Sequence, residues 1–91
     1  MGSTKTIKQL LSDAVKVNEY VLLLYNDDIH SFEYVIDSLM EICHHNFEQA
    51  EQCAVIVHNN GKCDIKRGGF KKLRTYYDAL VRCGLTVEIT E

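Results

Sequence analysis

Tyr20-Val21-Leu22-Leu23-Leu24-Tyr25 is the segment that most limits what this chain can fold into. A run this apolar cannot be left in water, and it is too short for a core helix, so it reads as a buried strand. It passes directly into Asn26-Asp27-Asp28, three short polar side chains with no Lys or Arg close by in sequence. Asn and Asp side chains bond nearby backbone groups, so the tripeptide reads first as a strand-to-helix turn. A second reading stays open beside it. The same side chains form a cluster of hydrogen-bond acceptors at a sheet edge, suited to a cationic ligand.

The apolar period changes after that turn. Phe32, Val35, Ile36, Leu39, Ile42 and Cys43 recur at helical steps and predict an amphipathic helix from about Ser31 to His44. Ser31 or His30 stands near its N-cap and Glu33 in its first turn, while His44 and His45 favour its C-terminal end as positive groups. Asn46 caps a second helix, with Gln49 close to a capping-box position. Phe47, Ala50, Cys53, Ala54 and Val57 share its inner face, and Asn59-Asn60-Gly61 predicts an end near His58. Lys62 to Arg67 alternates Cys63 and Ile65 with polar neighbours, as an edge strand does, until Gly68-Gly69. A third helix is expected over about Phe70 to Cys83, with Phe70, Leu73, Tyr77, Leu80 and Val81 inward and Gly84 as the stop. Leu85, Val87 and Ile89 then alternate as a half-buried strand. The order β-α-α-β-α-β predicts an α+β domain over residues 18–91, a three-stranded antiparallel sheet packed against three helices. Residues 1–17, with Ile7, Leu10, Leu11, Val15 and Val17 among polar side chains, read as a flexible or weakly helical extension.

Composition narrows the function classes. A length of 91 residues suits one domain with a modest core. The net charge of −3 argues against a nucleic-acid binder, although Lys66, Arg67, Lys71, Lys72 and Arg74 make a local basic run suited to solvent or an acidic protein surface. No stretch approaches a membrane span and no secretory signal core is evident, so a cytosolic setting is expected. Cys43, Cys53, Cys63 and Cys83 contain no Cys-x-x-Cys pair and are expected as free, mostly buried thiols rather than a catalytic or metal centre. Asp27 and Asp28 are adjacent and point oppositely on an extended backbone, which speaks against a cooperating carboxylate pair. No cofactor and no phosphate-cradling motif are indicated. Binding is the function class left standing. His58 ends an apolar helical run before a tight turn, and a helix returning to the sheet would bring it towards Asn26 and Asp27. Asn26 Oδ1, the Asp27 carboxylate and a neutral His58 nitrogen would then match an ammonium group, which donates three hydrogen bonds and accepts none.

That joint pattern resembles the ClpS family of protease adaptors, over residues 18–91. The carrying residues are Val21-Leu22-Leu23-Leu24-Tyr25-Asn26-Asp27-Asp28, then Phe32-Glu33-Tyr34-Val35 opening a helix, and Ala50 through Val57-His58 followed by Gly61 and Cys63. The resemblance is weakest from about residue 66 to 84. It implies a non-catalytic adaptor for N-degrons, substrates with a free α-amino group and Leu, Phe, Tyr or Trp as first residue. It also implies delivery to a ClpA- or ClpC-type AAA+ unfoldase with its ClpP peptidase. By the resemblance, Asn26, Asp27 and His58 hold the α-amine. Leu39, Ala54, Val57 and Leu85 line the hydrophobic pocket, Phe32 takes the gatekeeper place, and His30 falls where the ligand's second residue is met. Of the acidic pair, Asp28 is expected to fix the turn. Three departures stand out: His30-Ser31 replaces the family's Thr-Pro, Phe32 replaces Met, and Ala54 is small. The competing reading is an interaction scaffold of the same topology, using its basic third helix and lacking amino-terminal recognition.

Overall fold

Leu22 and Leu24 are 0% and 1% exposed, and the rest of the molecule is arranged around them. Their strand, β1 (Tyr20–Tyr25), is the middle of a three-stranded antiparallel sheet ordered β2-β1-β3 in the computed structural model, which describes residues 19–91. After β1 come α1 (Phe32–Cys43), α2 (Phe47–Asn60), β2 (Lys62–Gly68), α3 (Phe70–Arg82) and β3 (Thr86–Thr90). This is the element order and the α+β class that the hydrophobic periods predict. The expected extension over residues 1–17 lies outside the described residues.

The core joins Leu22 and Leu24 to Ile36 and Leu39 of α1, Ala50, Ala54 and Val57 of α2, and Leu73 and Leu80 of α3. Each buried Leu contributes about 1.5–3 kcal/mol relative to exposure. The strand ladder carries one irregularity. Leu22 faces Lys66 while Leu23 faces Asp64, so Ile65 is an extra residue on β2. The extra residue of a bulge falls out of the pairing. The Ile65 carbonyl is taken instead by His45 Nε2 at 2.9 Å.

That contact corrects the reading of His45 as a positive group at a helix end. His45 is 4% exposed, and a carbonyl only accepts, so Nε2 carries the hydrogen and Nδ1 is left buried without a partner. Burial, together with nearby Lys66, pushes its pKa below the ordinary 6.5 against the pull of the Ile65 carbonyl. His45 is a neutral core residue. His44 does end α1, in left-handed geometry at φ 59°.

Three inward assignments at helix starts are also corrected. Phe32, Phe47 and Phe70 are 39%, 53% and 47% exposed, and each is the first residue of its helix. Helical side chains lean towards the N-terminus, so a side chain there overhangs the helix end instead of meeting the layer below. Phe70 meets Tyr20 in a T-shaped arrangement, with ring centroids 5.4 Å apart. Val81, in the last turn of α3, is likewise exposed. Helix α2 runs two residues past the expected end at His58, because Gly61 at φ 91°, not the asparagines, supplies the left-handed stop.

Candidate functional site

The last residues of β1 and α2 are joined by the backbone. Gly61, the C-cap of α2, donates its N–H to the Val57 carbonyl at 2.8 Å and accepts the Asn26 N–H at 2.9 Å. The bond from Asn26 extends the β1–β2 ladder by one step beyond Tyr25–Lys62. Val57-His58 is thereby tied to Asn26-Asp27, though about thirty residues separate them in sequence.

Asp27 then turns the chain. Its Oδ1 accepts the N–H groups of Ile29 and His30, each at 2.9 Å, and His30 Nδ1 stands 3.1 Å from Oδ1 and 3.0 Å from Oδ2. Asp28, expected to fix the turn, is exposed and takes no part in it. Burial raises the Asp27 pKa, but the His30 N–H, the His30 ring and the Ile29 N–H together outweigh this and leave it below the ordinary 3.8. Asp27 is a carboxylate at every physiological pH. Ser31 follows as the N-cap of α1, its Oγ accepting the Tyr34 N–H at 3.0 Å.

Between the turn and α2 lies a cavity of about 420 Å³. Leu24, Val35, Ala54, Val57, Leu85 and Phe32 supply its apolar lining, and Asn26, Asp27, His30 and His58 are among its polar residues. Ala54, Val57 and Leu85 are buried, whereas Asn26 and His58 are exposed. Leu85 reaches the cavity from the turn after α3, where its N–H bonds the Leu80 carbonyl at 3.1 Å. Leu39 behaves differently from the expectation of a wall position. It is 0% exposed, in the shared core, and absent from the lining. Leu24 and Val35 also line the cavity, although no site role is expected of them from sequence. A continuous apolar run and a helical apolar step mark residues as inward, and neither separates a cavity wall from core.

Chemically the cavity offers acceptors beside an apolar volume. Asp27 Oδ2 is engaged only by the His30 ring, so it retains accepting capacity. Among the described residues no three His, Cys, Asp or Glu side chains are grouped so as to hold a metal ion, and no helix is long and apolar enough to cross a membrane. Cys43 and Cys63 are pushed up to about 11 and about 12, chiefly by burial, and are poor nucleophiles.

The family described as ATP-dependent Clp protease adaptor protein ClpS matches residues 15–88. The ClpS adapter proteins of Campylobacter jejuni strains 81-176 and RM1221 are each 38% identical over 61 residues, covering 67% of this chain and 62% of theirs. The chain thus spans somewhat under two thirds of the length of these relatives. In fold, it is similar to Agrobacterium tumefaciens ClpS2, solved bound to L-phenylalaninamide. The TM-score is 0.64 at 19% identity, covering 79% of this chain and 96% of that one.

Proposed function

Because this chain belongs to the ClpS family of ATP-dependent Clp protease adaptor proteins, we propose that its cavity binds the free α-amino group and bulky apolar first side chain of N-degron substrates. In this reading it has no catalytic activity of its own. It hands those substrates, in the cytosol, to a ClpA- or ClpC-type AAA+ unfoldase working with ClpP. The observation that carries the reading is the meeting of Asn26, Asp27 and His58, from two elements, around one cavity that is otherwise apolar.

The energetics favour a charged amine. An α-amino group has a pKa near about 7.7–8.0 and is mostly an ammonium ion at neutral pH. Hydrogen bonds from a charged donor are about twice as strong as neutral ones. Asn26 Oδ1, the free capacity of Asp27 and a His58 ring nitrogen supply the three acceptors that an ammonium can use. Burying one Leu or Phe side chain adds about 1.5–3 kcal/mol. Phe32, the small Ala54, Val57 and Leu85 would enclose that side chain. L-phenylalaninamide, the ligand of the structural relative, carries a free α-amine and a bulky apolar side chain, which fits the same pairing.

The test follows from the roles. Asp27→Asn keeps an oxygen for the turn but removes the charge, and His58→Ala removes an acceptor from an exposed position. Each is predicted to weaken binding of a Phe-initiated peptide by about tenfold or more, with the unfolding temperature nearly unchanged. Wild-type affinity in either variant contradicts the assignment of that residue.

A further inference from the structure

Resting on the amine-binding reading above, we propose that His30 is a positioning residue for Asp27. Its ring, clamped between Tyr34 and Gly84, holds the carboxylate in the orientation that receives the ligand's ammonium group.

The backbone grips one oxygen of the carboxylate. Ile29 and His30 N–H groups both go to Oδ1, and neither reaches Oδ2. His30 Nδ1 lies 3.1 Å from Oδ1 and 3.0 Å from Oδ2, so a single donor spans both oxygens and sets the plane. A carboxylate only accepts, so Nδ1 carries the proton in this bond.

The ring is itself held on one face and at its far edge. It stacks on Tyr34 with centroids 4.8 Å apart and planes 16° from parallel. Tyr34 cannot turn away freely, because its Oη donates to the Cys83 carbonyl at 2.6 Å. At the far edge, a Cβ placed on Gly84 would stand 3.1 Å from His30 Nε2 and 3.2 Å from Cε1. Those distances are tighter than side-chain packing accepts without a shift. Gly84 also has φ 84°, in the left-handed region. The slot for the ring therefore exists because residue 84 has no side chain.

Two consequences follow. The Cys83-Gly84 turn leads directly into Leu85, so one clamp ties the apolar wall of the cavity to its carboxylate. The role also differs from the expectation that His30 meets the ligand's second residue, since Nδ1 is engaged by Asp27 and Nε2 faces Gly84.

Binding of a Phe-initiated peptide and its N-acetylated twin is measured for the wild type, His30→Ala, His30→Asn, Gly84→Ala, Asp27→Asn and the Asp27→Asn/His30→Ala double variant. His30→Ala is expected to lose about tenfold in affinity for the free amine, from one hydrogen bond to a charged group. His30→Asn, whose amide N–H reaches the place of Nδ1, is expected near wild type. Gly84→Ala is expected to weaken binding as His30→Ala does, by displacing the ring. In the Asp27→Asn background, His30→Ala should cost little more, because its effect runs through Asp27. Wild-type affinity in His30→Ala overturns the proposal, as does an equal loss with and without the Asp27 charge. Binding by His30→Asn as weak as by His30→Ala overturns it too. A wild type that binds both twins equally overturns the amine-binding reading, and this one falls with it; preference for the free amine with any of the other failures overturns the positioning role alone.

Discussion

Asp27 and Asp28 are the same side chain one residue apart, and only their place on the turn separates them. Propensity treats them alike, so the expectation that Asp28 fixes the turn while Asp27 meets the ligand has no local signal to separate the two. The structure gives the turn to Asp27, so the residue proposed to meet the ligand is also the one that shapes the loop. That double duty has a pH consequence. With its pKa below 3.8, Asp27 stays charged far into acid. Loss of affinity at the alkaline side then follows the ligand amine, and titrations are expected to show binding weaken as pH rises through about 8. His45 acts in a separate window and on stability. Its folded-state pKa lies below 6.5, so the unfolded chain takes up the proton first as pH falls. Stability from this residue is complete above pH 6.5 and declines as pH drops from 6.5 towards the folded value. Urea denaturation is expected to show a smaller decline for His45→Gln, which keeps a donor for the Ile65 carbonyl and does not titrate. Nothing in the sequence around His45 announces burial; the cause is a bulge on a strand twenty residues away.

At the scale of elements, boundaries set by a specific cap were legible and side-chain environments at helix ends were not. Ser31 and Asn46 both cap as their types predict, the latter accepting the Gln49 N–H at 2.8 Å. Asn46→Ala is expected to cost about 1 kcal/mol in denaturation experiments. Gly61 does more, since it ends α2 at φ 91° and accepts the Asn26 N–H. No atom lies within 4 Å of a Cβ there, so the penalty for Gly61→Ala is conformational, about 1–2 kcal/mol. Peptide affinity is expected to fall as well, because Asn26 and His58 are tied together through this residue. The three phenylalanines that open helices mark the limit of periodicity. A stripe of apolar residues says which face is inward, but not how far the neighbouring layer extends beneath the first turn. For Phe32 the overhang is what puts its ring on the cavity.

Over the whole molecule charge is segregated. Residues 19–61 carry eight carboxylates and no Lys or Arg, whereas residues 62–82 carry seven of the ten basic side chains. The basic side is partly self-neutralised, by Arg67–Asp64 at 2.8 Å and Arg74–Asp78 at 3.0 Å, both exposed pairs of small energetic value. The candidate site sits in the acidic part, whose field favours approach of a cationic amine. Association is therefore expected to slow as ionic strength rises from about 0.05 to 0.5 M, where screening lengths fall to a few ångströms; stopped-flow fluorescence checks this. The central claim, that the acceptors around Asp27 read a free amino terminus, has a more direct test. Fluorescence titration at neutral pH compares a Phe-initiated peptide with its N-acetylated twin, which has lost the charge and two donors. Unpaired acceptors cost about 1–3 kcal/mol, so the twin is predicted to bind at least about fivefold more weakly; equal affinity for the two peptides would contradict the account.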